Sequence, residues 1–294
     1  MRSSQLACGL GVALIVTSCG GSPIQSSADN PPAVSPPTVT NAPPAIVSLD
    51  AQGSRPKEPS RFADLGEEIA VTAVVEDAET PPDALTYEWT SNAGTIGGTG
   101  RSITWRAPDA GSTPMTVGIM LAVVERFTTI DSAGRLVQNE NRVSKEVSVR
   151  VHDSARELGE LARNFLELFS QSSVSPDVVM RDFQDGCGAG GTGKRDERTD
   201  VERNRLQFSI LNWFVGTPRV TIAFDGVSPF RSRQAEGWAA VDVRWTSRCL
   251  VKDDSRGCPT VGVIKNDVGT DWVTAHFDEQ TNRWWLCDSD YEGR

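Results

Sequence analysis

The chain has 294 residues, of which 38% are hydrophobic and 23% charged, so it is long and apolar enough to form about two globular domains. Its formal net charge is −10. Nucleic acid and anionic membrane surfaces would both repel so acidic a chain, and we therefore predict no nucleic-acid partner.

A short apolar segment at the amino terminus indicates secretion. Arg2 precedes the apolar run 6–16, which is too short to span a bilayer as a stable helix, and the small residues Thr17 and Ser18 follow it. We therefore interpret residues 1–18 as a signal peptide.

The segment ends in Val16-Thr17-Ser18-Cys19, which resembles the bacterial lipoprotein signal, although Leu is usual where Val16 stands. The resemblance implies that Cys19 carries diacylglyceryl and N-acyl (palmitate-type) chains, which would anchor the protein in a membrane of the bacterial cell envelope. Gly20 after that cysteine, rather than Asp, implies the outer membrane rather than the inner membrane. An ordinary signal peptide with an incidental cysteine is the alternative.

The region after Cys19 is rich in proline. Seven of the 17 prolines lie in residues 20–45, among small polar residues with almost nothing to bury. We predict a lipidated cysteine followed by a Pro/Ser-rich tether over residues 19–45.

Residues 46–152 are predicted to form a β-sandwich. Alternating apolar residues indicate short strands at 69–75, 85–89, 102–105, 115–124 and 147–151, with no helical pattern between them. Leu85-Thr86-Tyr87-Glu88-Trp89, the later Ile-Thr-Trp-x-Ala-Pro segment (103–108) and the final Val-x-Val strand resemble immunoglobulin-like domains of the polycystic-kidney-disease type. The resemblance implies that Tyr87 and Trp89 belong to the core between two sheets.

Residues 153–294 change to a helical pattern and then return to strands. The capping box Ser154–Glu157 predicts a helix start, Ser175-Pro176-Asp177 a second short helix, and residues 194–211 a third. Strands are then indicated at 220–224, 241–245 and 261–264, and a hairpin is indicated between residues 271 and 287. Helices followed by antiparallel strands predict an α+β domain.

The last strands carry a specific resemblance. The segment 275–287, with an aromatic strand, a polar turn and then Trp284-Trp285, resembles the end of nuclear-transport-factor-2-like (SnoaL-like) domains. This implies a cone with N-terminal helices and a curved antiparallel sheet. The predicted fold class is therefore multidomain, an immunoglobulin-like β-sandwich followed by an α+β cone.

Four cysteines remain after the signal peptide and Cys19 are set aside, which favours two disulfides in an oxidising compartment. Four cysteines permit three pairings. Cys249 and Cys258 flank a charged segment with a glycine that suits a hairpin tip, so we expect them to pair, and Cys187 to pair with Cys287. We predict no metal and no cofactor, because the chain has no CxxC pair and only two histidines.

Candidate ligand-binding residues are Trp272, His276 and Trp245. In an alternating strand, His276 shares a face with Trp272 and Thr274, a combination that resembles a pocket wall. Asp271 stands at the start of a predicted strand, and Asp242 shares a face with Arg244 as a solvated ion pair would.

These residues predict binding without catalysis. We expect a lipid-anchored envelope protein that binds or scaffolds an envelope partner, a glycan or a small apolar ligand. Two alternatives remain open, which are an isomerase-like or hydrolytic enzyme built on the cone domain and a purely structural spacer. An enzyme requires a buried ionisable group in a dry pocket, and a spacer requires a cavity that is packed shut.

Overall fold

The computed structural model describes residues 41–224, 226 and 235–293 of the chain. The predicted signal peptide, Cys19 and residues 20–40 of the predicted tether lie outside the described residues. The folded chain belongs to one compact unit, Asn41–Arg294. Its strands are β1 (Ala45–Gln52), β2 (Phe62–Asp64), β3 (Glu68–Glu76), β4 (Thr86–Ser91), β5 (Thr95–Gly97), β6 (Ser102–Arg106), β7 (Met115–Ile130), β8 (Leu136–His152), β9 (Phe208–Val215), β10 (Arg219–Ile222), β11 (Gly237–Cys249), β12 (Ile264–Asp278) and β13 (Arg283–Gly293), and its α-helices are α1 (Ser154–Phe169), α2 (Pro176–Val179) and α3 (Gly193–Gln207).

The fold is rich in β-structure and contains several sheets, as predicted. In the described part of the chain, two four-stranded sheets have the orders β1-β3-β6-β5 and β2-β8-β7-β4. A third has the order β10-β11-β12-β13, with β9 also paired to β11. Among the described residues, no helix is long and apolar enough to cross a membrane.

The first two sheets share one hydrophobic core. Alternation along β3 buries Ile69, Val71, Ala73 and Val75, and these residues belong to the same buried cluster as inward side chains of β7 and β8. Trp105 is the largest of the fully buried side chains in this cluster, whereas Tyr87 and Trp89 are partly buried and pack against it.

The hairpin of β7 and β8 is much longer than predicted. The two strands pair from Met115 opposite Val151 to Ile130 opposite Leu136. Residues 125–146 are mostly polar, so sequence alternation did not reveal strands there. The backbone pairing continues nevertheless, and the hairpin tip is exposed, with Ile130 71% and Leu136 75% accessible.

The second core lies between the third sheet and the helices. The stripe predicted on α1 is buried there, with Leu158, Ala162, Phe165 and Leu166 packed against inward residues of β11, β12 and β13. Phe62 of β2 also enters this core, where it stacks on His152 at 5.2 Å between ring centroids. The first half of the chain therefore contributes directly to the core of the second half.

Two details of the helices differ from prediction. Helix α1 starts at Ser154 but is capped by Asp153, whose side chain accepts a hydrogen bond from the Arg156 amide. The predicted third helix ends at Gln207, earlier than residue 211, because the chain from Phe208 pairs as β9 with β11. Leu211 lies on this strand and is half exposed.

The structure contains both predicted disulfides. Cys187 and Cys287 have Cα atoms 5.1 Å apart and close 100 residues of chain. Cys249 and Cys258 have Cα atoms 5.8 Å apart and close a loop at the end of β11. These distances lie within the usual range for a disulfide.

Candidate ligand-binding cavity

The two faces of β12 have different environments. Val273, Ala275 and Phe277 belong to the buried cluster beneath the sheet, so odd-numbered residues of this strand face the helices. Asp271 is also odd-numbered and therefore lies on the same face as Val273. Trp272 and His276 have the opposite parity and lie on the other face of the sheet.

A row of aromatic side chains crosses the inner face. Trp213 of β9 lies directly opposite Trp245 of β11, with ring centroids 5.2 Å apart. Phe169, at the end of α1, stacks on Trp213 at 6.0 Å, and Tyr291 of β13 lies 4.8 Å from Trp245. The four rings form one continuous apolar wall.

This wall borders a cavity of about 500 Å³. That volume falls in the range of small-molecule sites. The cavity is lined by Phe169, Asn204, Phe208, Ile210, Trp213, Trp245, Ser255, Arg256, Lys265, Asp267, Asp271 and Tyr291. Its lining is aromatic in one part and charged in another, which suits a molecule with an apolar body and a polar group.

A glycine allows Tyr291 to form part of the wall. Gly269 of β12 lies beneath the Tyr291 ring, and a Cβ atom there would lie 2.4 Å from Cε2 of that ring. A side chain at position 269 would therefore displace Tyr291. Burial, with the nearby charges of Asp267 and Asp271, raises the pKa of the Tyr291 hydroxyl.

Asp271 is the unusual ionisable group of the cavity. Its Oδ1 atom is shielded from solvent and has no hydrogen-bond partner among the described residues, although the residue as a whole is only half-buried because it lines the cavity. Burial, together with the charge of Asp290, raises the pKa of the Asp271 carboxyl to about 7. The carboxyl can therefore gain or lose a proton near neutral pH.

A second buried carboxyl lies behind Asp271. Glu197 of α3 is 6% exposed and accepts hydrogen bonds from the Ser289 amide at 3.0 Å and the Ser289 hydroxyl at 2.8 Å. Burial and the charges of Asp271 and Asp288 raise the pKa of Glu197 well above its usual value. An ionised Asp271 therefore opposes ionisation of Glu197.

The charged part of the lining comes from the disulfide-closed loop and the start of β12. The Arg256 guanidinium donates to the side-chain oxygens of Asn204 at 3.3 Å and Gln207 at 3.0 Å. Lys265 donates to the Arg256 carbonyl at 2.8 Å and lies 3.6 Å from Asp267. The Lys265 ammonium also lies 5.3 Å from the centre of the Phe208 ring.

The three predicted ligand-binding residues are not brought together. Trp245 is part of the inner aromatic wall, whereas Trp272 lies on the outer face. His276 lines a different cavity of about 300 Å³ and pairs with Glu236 at 2.8 Å. The hydrogen bond to Glu236 raises the pKa of His276. A ligand role for Trp272 and His276 remains a prediction that these contacts do not test.

The two aspartates are also placed differently from prediction. Asp242 pairs with Arg219 at 2.9 Å, and the Arg244 guanidinium lies 4.5 Å from the centre of the Phe214 ring. Asp271 does not begin a strand, because β12 starts at Ile264. It lies within β12, on the inner face of the sheet.

Another cavity, of about 440 Å³, lies beside α1. Its charged side chains include members of two ion pairs. Arg283 pairs with Asp182 at 2.9 Å, and Glu160 pairs at 3.1 Å with Arg156, which lies next to the cavity. Within the described ranges, no group of three His, Cys, Asp or Glu side chains is arranged to hold a metal ion. The aromatic cavity is therefore the candidate site.

Sequence reasoning missed Trp213, Asp271, Arg256 and Tyr291 as members of one site. The signal for Asp271 was its parity with Val273, which places both on one face of a strand. Comparison with known proteins adds no further residue. No protein-family model, no curated protein and no solved structure matches the chain.

Proposed function

We propose that this chain is a lipid-anchored protein of the bacterial envelope whose C-terminal half binds a small, mostly apolar ligand without converting it. In this proposal the first two sheets form an immunoglobulin-like sandwich and residues 153–294 form a nuclear-transport-factor-2-like cone. Two sheets with one shared core support the first assignment. Helices packed on an antiparallel sheet, with a cavity lined by residues of both, support the second.

The observation that carries the proposal is the aromatic cavity. A purely structural spacer requires a closed core, yet about 500 Å³ remains open beside Trp213 and Trp245. The Trp213 Nε1 atom is shielded from solvent and has no hydrogen-bond partner among the described residues. An unsatisfied buried donor costs stability, and a ligand acceptor would recover that cost.

A neutral aromatic probe tests the proposal. Isothermal titration calorimetry with 2-naphthylmethanol should detect submillimolar binding to the wild-type protein. Trp245→Leu should weaken this binding strongly, because it removes a wall of the cavity. Trp272→Leu, a matched change on the opposite face of the sheet, should leave it unaltered.

The opposite effects of the two variants would indicate that the probe binds on the outer face of the sheet. Binding that is lost in Trp272→Leu and retained in Trp245→Leu would contradict the inner cavity and favour the face of Trp272 and His276. Circular dichroism and urea unfolding of both variants would establish that each remains folded.

Asp271 supports a second candidate function, an enzyme that transfers protons. A carboxyl whose pKa is raised to about 7 in an aromatic pocket can act as a general acid or base at neutral pH. Such an enzyme would catalyse exchange of an acidic C–H of a bound ketone with deuterium from D₂O, measured by NMR. Exchange that is abolished by Asp271→Asn and retained in Asp254→Asn would favour the enzyme over the binding protein.

A further inference from the structure

The charges lining the cavity are not balanced in pairs. Lys265 and Asp267 face each other at 3.6 Å and largely neutralise one another. Among the described residues, the Arg256 guanidinium forms hydrogen bonds only with the neutral side chains of Asn204 and Gln207, and no described carboxylate forms an ion pair with it. Asp271 is therefore the one lining carboxylate, among the described residues, that could still oppose the charge of Arg256.

Arg256 is held in place by several contacts. The disulfide between Cys249 and Cys258 closes its loop. Gln207 donates a hydrogen bond to Asp253 at 3.0 Å, and Lys265 donates to the carbonyl of Arg256 itself. A guanidinium fixed in this way loses little further freedom when it binds an anion.

Asp271 lies away from this cation. Lys265, which contacts the Arg256 carbonyl, is six positions from Asp271 along β12, which corresponds to roughly 20 Å of extended strand. Trp245 and Tyr291 belong to the aromatic row between the two ends, and Trp213 offers an unsatisfied N–H donor there. The cavity thus has a cationic end, an aromatic middle and a carboxyl at the other end.

We propose that the cavity binds an amphipathic monoanion, with an aromatic or alicyclic body against Trp213 and Trp245 and a carboxylate or sulfonate at Arg256. This inference rests on the proposed binding function and specifies its ligand class. A guanidinium with no described carboxylate partner, at the edge of an apolar cavity, is suited to receive a carboxylate through charge-assisted hydrogen bonds. In a chain with a net charge of −10, a cation at Arg256 without a described carboxylate partner is distinctive.

Asp271 makes the binding depend on pH. Among the described residues, the titratable groups near it are Asp290 and Tyr291 on β13, Glu197 on α3 and Asp267 on its own strand, and none of these four is a cation. Below neutral pH the Asp271 carboxyl is protonated and adds no charge to the lining. As the pH rises through about 7 it ionises, and the new negative charge repels an anionic ligand.

Three probes that share one ring system test the ligand class. Calorimetry at pH 6 should show that 2-naphthoate binds at least tenfold more tightly than 2-naphthylmethanol, and that 2-naphthylmethylammonium binds most weakly. Tightest binding of the ammonium probe would overturn the inference. Equal binding of the carboxylate and the alcohol would also overturn it but leave the proposed function intact, whereas no binding of any probe would contradict both.

Two variants test whether Arg256 binds the carboxylate of 2-naphthoate. Arg256→Gln should weaken 2-naphthoate binding by roughly 10- to 100-fold, the value of hydrogen bonds to a charged group, and should leave 2-naphthylmethanol binding unchanged. Lys252→Gln removes the same charge from an exposed position of the same loop and is the control. An equal loss of 2-naphthoate affinity in the two variants would show that the net charge of the protein, and not the Arg256 guanidinium, attracts the probe.

The last experiment measures 2-naphthoate binding at pH 6 and pH 8. The wild-type affinity should fall severalfold at pH 8, and the fall should disappear in Asp271→Asn, in which the side chain cannot ionise. An affinity that rises with pH, or a fall in affinity that persists in Asp271→Asn, would contradict the proposal that ionised Asp271 repels the ligand.

Discussion

Asp271 should make the folded protein less stable as the pH rises, and its replacement by asparagine should reverse the effect. The folded-state pKa is raised to about 7, whereas an unfolded aspartate ionises near 4. Below pH 4 the carboxyl is neutral in both states and contributes nothing. Between pH 4 and pH 7 the unfolded chain ionises first, so stability is lost across this window and stays low above it.

The size of the stability loss follows from the size of the pKa shift. Each pKa unit corresponds to ~1.4 kcal/mol, so ionised Asp271 lowers the free energy of unfolding by about 4 kcal/mol at pH 8. Asp271→Asn should recover most of this at pH 8 and less than about 1 kcal/mol at pH 4, since the cost is nearly absent there. A carboxylate that costs so much stability is expected where function requires it.

Urea unfolding of wild type and variant at pH 4, 5.5, 7 and 8 provides the assay. The difference between the two proteins should grow steadily with pH. Asp254→Asn removes an exposed carboxylate, with 70% of its side chain accessible, and should show no such growth. If Asp271→Asn is no more stable than wild type at pH 8, Asp271 is not buried as described and its role in the cavity fails.

Other changes have equally definite outcomes. Replacing Cys249 and Cys258 with serine should lower the free energy of unfolding by roughly 2–3 kcal/mol, measured with urea, because the loop they close is short. It should also weaken 2-naphthoate binding, and unchanged affinity would show that the loop is held by its other contacts. Phe62→Ala should cost about 3–5 kcal/mol and destabilise the C-terminal core, whose local opening is measurable by hydrogen exchange, because Phe62 is fully buried there. Cys19→Ser should yield a soluble or uncleaved precursor, and a mature wild-type N-terminus without lipid by mass spectrometry would contradict the anchor.

Features set by local chemistry were predictable from the sequence. The apolar stripe of α1 has helical spacing, and the inward residues of β3 alternate, so both patterns indicate the observed burial. The pairing of Cys249 with Cys258 followed from the turn residues between them. Each of these depends on neighbours that are close in the chain.

The candidate site depended on contacts that are distant in the chain. Alternation in β12 separates Asp271 from Trp272 but does not reveal which set faces the helices, because both sets contain large side chains. Trp213 lies in β9, whose first residues were predicted as the end of the third helix, and only pairing with β11 identifies the segment as a strand. The position of Arg256 depends on Asn204 and Gln207, which are about fifty residues earlier.

The most direct test of a ligand cavity is a crystal structure of the protein with 2-naphthoate. We predict that the ring lies against Trp213 and Trp245, with the carboxylate within hydrogen-bonding distance of the Arg256 guanidinium. A structure in which that space is filled by side chains, or in which the probe binds on the face of Trp272, would contradict the central claim.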